Sequence, residues 1–415
     1  MTRRLDADWL REGPLARVLA VLDGAGEEAR LVGGTVRNAL LGEPPGDADI
    51  ATTAVPEEVI RRAEAAGFKA VPTGIEHGTV TIVVDSRPFE VTTLREDVET
   101  FGRHAKVAFG RDWQRDAERR DFTINALFLS REGTIHDFVG GLADLRARRV
   151  RFIGDPAQRI AEDYLRILRF FRFHAAYGDG PLNPAGLHAC IVARRGLENL
   201  SRERVRMETL KLLAARNAAP TLAVMSETGL LEQVIGGVPL LASVSKMIDL
   251  EGSLPLHPDP IRRLGALAVL VTEDAERLRD RLRLANMEFE RLAAMAQAWR
   301  RFAPAAGNHE PRALLYRLGR QTYSDSVLLA WSRSPQDKAN ENWRALATLP
   351  ARWGPPVFPL KAADFLVRGV ARGPALGAAL RAAEEAWIAE DFPADVKLLA
   401  CIADRAAGLD AKCDP

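Results

Sequence analysis

The stretch LVGGTVRNALLGEPPGDADIATT, residues 31–53, orders the reading of the whole chain. An apolar pair, Leu31 and Val32, runs into Gly33 and Gly34. A helical run follows over 35–41, then a turn over 42–46, and Asp47, Ala48 and Asp49 open a short strand with Ile50. Two glycines at a strand-to-helix junction let backbone N–H groups approach a phosphate, and Arg37 adds a rigid positive fork one turn on. Asp47 and Asp49 are two residues apart, so on a strand both carboxylates project from one face. Like charges that close repel unless a cation lies between them. Taken alone, a Gly-Gly pair is a weak signal and an Asp-x-Asp is often a solvated turn. Joined at this spacing, they are the equipment of metal-assisted phosphoryl or nucleotidyl transfer.

At 415 residues the chain is too long for one ordinary core and predicts two to four sub-domains. Its 47% hydrophobic and 27% charged residues are those of a soluble globular protein. No stretch approaches the ~18 apolar residues of a membrane span, and MTRRLDADWL has no signal-peptide core. Cys190, Cys401 and Cys413 lack metal-ligand spacing and are too few for a disulfide framework. The expectation is a cytoplasmic protein without structural zinc. Charge is uneven: residues 1–140 carry 18 basic and 24 acidic side chains, residues 141–220 carry 15 and 8, and the rest balances. An acidic part followed by a basic band suggests that phosphate is gripped mostly by the second segment.

Along the chain, residues 8–29 show an amphipathic helical pattern ending near Gly24 and Gly26, and 56–66 read as a helix with Pro at its start. Strand signals at 78–84 and 88–94 are joined by a short hairpin turn. Glu90 sits among β-formers. By itself it is an edge-strand surface charge; beside an Asp-x-Asp strand it is a candidate third carboxylate. Residues 95–117 lose all pattern and read as a long polar loop, which in a compact domain is functional or disordered. Then comes RRDFTINAL, residues 119–127, where Arg120 offers a fork for phosphate and Phe122, Ile124 and Leu127 can enter the core. Asp121 can orient an arginine or cap a helix. After a last strand at 134–138, one strong helix is predicted over 160–177, with Glu162, Asp163, Arg166, Arg169 and Arg172 along one face. In LSRERVRME, Arg202, Arg204 and Arg206 are candidate RNA or phosphate contacts. Beyond Pro220 only helices are predicted, and most of Trp299, Trp331, Trp343, Trp353 and Trp387 read as packing residues rather than RNA-stacking platforms.

The first stretch resembles the GGxVRD…DxD signature of polymerase-beta-like nucleotidyltransferases, in the form found in tRNA nucleotidyltransferases and bacterial poly(A) polymerases. Asn38 stands where that family usually has Asp; it keeps an acceptor and loses the charge. RRDFTINAL matches the tRNA nucleotidyltransferases letter for letter, and EDYLRILR matches their EDxxRxxR. The resemblance is tight over residues 29–230. It implies an α+β fold: a small mixed-sheet head (1–145), a neck (146–220), a helical body (221–305) and a helical tail (306–415). It further implies template-independent addition of C, C and A to the 3′ end of tRNA from CTP and ATP, with Mg²⁺ and release of pyrophosphate. In that reading Asp47 and Asp49 hold metal and Glu90 completes the catalytic carboxylates. Gly33, Gly34, Arg37 and Arg120 cradle phosphates, and Asp163 and Arg166 meet the base edge, with Arg169 and Arg172 further along. Arg202, Arg204 and Arg206 approach RNA, and residues 95–117 serve the switch from C to A. A poly(A) polymerase, a CC-only or A-only adding enzyme, or a non-catalytic RNA-binding protein are the other readings.

Overall fold

The structure, a computed structural model, describes residues 4–101, 104–302 and 309–409 and divides into two compact units, Met1–Val234 and Ile235–Pro415. Unit 1 opens with two short helices, α1 (Asp8–Arg11) and α2 (Pro14–Leu22), rather than one helix over 8–29. Gly13 at φ +94 and the proline after it break the run, because proline supplies no N–H to the preceding turn. Ala29 already belongs to strand β1 (Ala29–Val32).

Strand β1 is central because all of its apolar residues are buried. It pairs antiparallel with β2 (Asp49–Thr52) on one side and β8 (Leu127–Ser130) on the other. The remaining strands are β3 (Lys69–Gly74), β4 (Thr79–Val84), β5 (Arg87–Thr93) and β9 (Ile135–Asp137), in the order β3-β4-β5-β2-β1-β8-β9. Strands β2 and β5 run parallel while their neighbours run antiparallel, so the sheet is mixed and the fold α+β, as expected. Strand β3 carries no sequence signal; it is an edge strand, largely exposed and containing Pro72, the position where a missing N–H is tolerated. Helix α3 (Gly34–Leu40) connects β1 to β2, and α4 (Pro56–Ala65) leads from β2 to the edge strand β3.

Residues 95–117 are not a structureless loop. Strands β6 (Arg95–Phe101) and β7 (His104–Phe109) form a two-stranded antiparallel ribbon, and α5 (Trp113–Glu118) follows, its N-terminus capped by Asp112. A ribbon outside the main sheet buries no face of a core sheet, so its sequence need not alternate. Phe122, Ile124 and Leu127 do enter the core, at 0%, 1% and 0% exposure. Phe122 packs at 4.9 Å on Phe152 and 5.2 Å on Phe173, which ties RRDFTINAL to the next helices by burial worth roughly 1.5–3 kcal/mol per ring. Those helices are α6 (Gly141–Arg146), α7 (Pro156–Glu162), α8 (Leu165–Tyr177), α9 (Pro184–Val192) and α10 (Arg202–Ala214).

The single helix expected over 160–177 is two. Asp163 is extended (φ −154, ψ 108), and its Oδ1 accepts from the Leu165 N–H at 3.0 Å, starting a fresh helix in the manner of a cap.

Among the described residues the regular elements of unit 2 are all helices, as the missing strand signals predict. Trp331 and Trp343 stack at 6.2 Å in its interior, and Trp387 packs with Phe365, Ile388 and Ile402. A buried ion network joins Arg262 and Arg263 to Glu251, and Arg262 and Arg291 to Asp325. Among the described residues no helix is long and apolar enough to cross a membrane.

Candidate active site

The junction from β1 to α3 turns on Gly33, whose φ of +72 an L side chain rarely adopts. Gly33 N–H donates back to the Leu127 carbonyl, and α3 leaves the sheet edge with Thr35 Oγ1 donating to the Asp47 carbonyl at 2.8 Å. That bond fixes the return of the chain. Asp47 therefore lies in the bend just before β2, not on the strand, and Asp49 is the first residue of β2. Both still line one cavity of about 700 Å³ with Gly33, Gly34 and Arg37.

The cavity wall opposite is built by the 119–125 segment and by α8 and α10. It carries Arg119, Arg120, Asp121 and Asn125, then Asp163, Arg166, Arg169 and Arg172, then Arg204 and Lys211. Glu90 lies outside this lining. Its partner in the parallel β2–β5 register is Asp49, so the two side chains share a face of the sheet. Burial, and then the neighbouring Glu90 charge, push the Asp49 carboxyl above its ordinary value, against the pull of Arg120.

Most cavity arginines are already neutralised. Asp116, 1% exposed, grips Arg119 at 2.5 Å and Arg120 at 2.9 Å. Burial alone would raise the Asp116 carboxyl, but Arg120 and Arg119 outweigh it and hold it low. Glu162 takes Arg166 at 2.5 Å, Asp121 takes Arg169, and Glu208 takes Arg172 at 2.5 Å. Asp121 thus orients an arginine rather than capping a helix. Asp163 uses its second oxygen for Arg204 at 2.6 Å, which turns Arg204, read as an RNA contact, into the cavity wall. Asp163 and Arg166 do not pair with each other.

Arg37 differs. It is 6% exposed, and its partners are neutral: Asn125 Oδ1 at 2.5 Å, Asn38 Oδ1 at 3.0 Å and the Tyr177 hydroxyl at 2.7 Å, with its guanidinium over the Tyr177 ring at 3.8 Å. Burial pushes it below the ordinary guanidinium value, and nearby Arg172 adds to the shift. Asn38 supplies the acceptor expected of it, without the charge. Among the described residues Asp47, Asp49 and Glu90 likewise lack any ion-pair partner. Arg37, Asp47 and Asp49, uncompensated charges of both signs, thus face one space, an arrangement suited to an anion and a cation together.

Sequence reasoning missed Asp116, Asn125, Tyr177, Glu208 and Lys211. The helical spacing of Asp116 to Arg119 and Arg120 could have revealed the first. Tyr177 and Glu208 carry no local signal, being distant along the chain from what they hold. Among the described residues no three His, Cys, Asp or Glu side chains gather closely enough to hold an ion alone. Two carboxylates with room for water and phosphate oxygens fit a hard divalent cation such as those used by nucleotidyltransferases.

A mixed sheet presenting an Asp-x-Asp pair beside a Gly-Gly turn, walled by arginines, defines a nucleotidyltransferase. Residues 29–151 match the family described as "Poly A polymerase head domain", and residues 184–243 the one described as "Probable RNA and SrmB- binding site of polymerase A". The mitochondrial CCA tRNA nucleotidyltransferase 1 of Danio rerio is 36% identical over 87% of this chain and 83% of its own. The CCA-adding enzyme of Limosilactobacillus fermentum is 33% identical over 88% and 90%. The crystal structure of the Bacillus stearothermophilus CCA-adding enzyme in complex with CTP superposes with a TM-score of 0.72 at 28% identity, covering 94% of this chain and 96% of that one. The chain belongs to the CCA tRNA nucleotidyltransferase family.

Proposed function

We propose that this chain adds C, C and A to the 3′ end of tRNA, using CTP and ATP and releasing pyrophosphate, at the cavity of unit 1. The observation that carries the reading is the convergence there of the unpaired Asp47 and Asp49 with Arg37, Arg120, Asp163 and Arg166. In each step the primer 3′-oxygen bonds to the α-phosphorus, the bond from that phosphorus to the bridging oxygen breaks, and the 3′-hydroxyl proton is lost. Asp47 and Asp49 would hold Mg²⁺, with Glu90 beside them. The metal, when bound, lowers the pKa of the 3′-hydroxyl and neutralises the leaving pyrophosphate.

The residues of the chain do the rest. Gly33 and Gly34 allow backbone N–H groups close to a phosphate, and Arg37 offers a buried, uncompensated charge to it. Arg120 is held at the same wall by Asp116. The Asp163 carboxylate accepts from an exocyclic amine, N4 of cytosine or N6 of adenine. The Arg166 guanidinium donates to N3 of cytosine or N1 of adenine. Uracil and guanine set O4 or O6 against the carboxylate and N3–H or N1–H against the guanidinium. Two such mismatches account for discrimination of about a hundredfold or more. Arg169 and Arg172 brace the wall through Asp121 and Glu208, and Arg202 and Arg206 reach toward RNA. Head (1–145), neck (146–220), body (221–305) and tail (306–415), in a cytoplasmic setting, belong to the same proposal.

The test is incubation with tRNA lacking its 3′ end, supplying each nucleoside triphosphate singly and then CTP with ATP. CTP alone should add two residues and the pair three. A poly(A) tail, or only one of the two nucleotides accepted, would replace this reading.

A further inference from the structure

Arg159, on α7, lines none of the cavity yet touches both halves of it. Its Nη2 donates to the carbonyl oxygens of Arg119 and of Arg120, the latter at 2.7 Å, and its Nη1 donates to Glu162 Oε2 at 2.7 Å. The same Glu162 oxygen accepts from Arg166 Nη1 at 2.5 Å, and that Nη1 also donates to the Arg159 carbonyl at 2.6 Å. The Arg159 side chain is only 12% exposed, with a second cation, Arg166, sharing its single carboxylate. Two guanidiniums thus share one hydrogen-bonded carboxylate, with Asp121 as a further negative charge near Arg159, a costlier arrangement than one pair alone.

Two rigid forks meeting on one acceptor fix relative position more closely than two separate pairs would. On one side of Arg159 is the main chain that carries Arg120, proposed to grip the triphosphate. On the other is Arg166, proposed to meet the base. We propose that Arg159 is a positioning residue for nucleotide choice: it sets the distance between the phosphate grip and the base-reading guanidinium. A base of the wrong edge is then refused because Arg166 cannot swing to a second geometry. This rests on Arg166 reading the base, so that reading has its own arm in the test.

The experiment measures kcat/KM for ATP, CTP, UTP and GTP on tRNA ending in CC, with urea midpoints, for wild type, Arg159→Met, Arg159→Lys and Arg166→Ala. Arg159→Met should lower the preference for ATP over GTP and UTP about tenfold, the worth of one lost charge-assisted bond. Arg159→Lys should lie between, since one ammonium can keep a carbonyl contact but not the fork. Wild-type preference in Arg159→Met, whatever its stability, beside lost preference in Arg166→Ala, overturns the positioning role and leaves a helix tie. Wild-type preference in Arg166→Ala removes the base-reading role, and this inference falls with it. If Arg159→Met does not fold, Arg159→Lys decides by the same criterion.

Discussion

Arg37 is buried while Asp49 is exposed at the head of β2; neither has an ion-pair partner of its own among the described residues, and lost hydration works against the charged form of each. Such sites favour ligand over stability. Asp49→Asn should therefore stabilise the metal-free protein at neutral pH. The sign follows from the raised folded-state pKa: below about pH 4 the carboxyl is protonated in both states and the substitution is neutral. As pH climbs past the raised value the folded state alone bears an unfavourable charge, and the gain is complete. Urea midpoints at acid and neutral pH check it; a less stable Asn variant at neutral pH would count against the uncompensated carboxylate. At Asp163 the outcome is read in selectivity. Asp163→Ala should lose about a hundredfold of the preference for CTP and ATP. Intact preference there would reduce the Asp163–Arg204 contact to an ordinary ion pair.

The elements show which local rules were legible and which were overruled. Strands β1, β4 and β5, helix α4 and the core residues of RRDFTINAL follow from alternation, capping and apolar spacing. Asp163 defeats helical periodicity because its carboxylate offers Leu165 a cap, and one helix becomes two. Strand β3 escapes because it is an edge strand, and the β6–β7 ribbon because it lies outside the main sheet. The site partners Tyr177 and Glu208 escape because only the tertiary fold brings them to Arg37 and Arg172. The ribbon reassigns the residues first read as a loop, and its backbone is the piece to alter. Replacing residues 97–107 with a short turn should leave CC addition intact and lose the terminal A. Product lengths on a sequencing gel decide, and a normal rate of A addition by the trimmed protein would give the ribbon another role.

Across the molecule, charge is divided: the acidic first 140 residues hold the carboxylate pair and the 119–125 part of the opposite wall, and the basic band over 141–220 supplies the rest of that wall. Much of that band is engaged in internal pairs, Arg149 and Arg151 on Asp144 and Arg172 on Glu208 among them. Net charge therefore overstates what remains for RNA. If Arg202 and Arg206 contact RNA phosphates as proposed, reversing them should flatten the dependence of log affinity on log salt by about 0.7–0.9 for each phosphate no longer neutralised. Binding titrations at several salt concentrations measure it, and an unchanged slope would make those arginines a solvated face. The central claim is that the carboxylates at the head of β2 do the chemistry. Single-turnover addition of A to tRNA ending in CC by Asp49→Asn tests it most directly. A folded variant slowed by about a thousandfold or more is the predicted result, since one ligand charge is removed from beside the reacting phosphate. A folded Asp49→Asn protein that adds A at near the wild-type rate would contradict it.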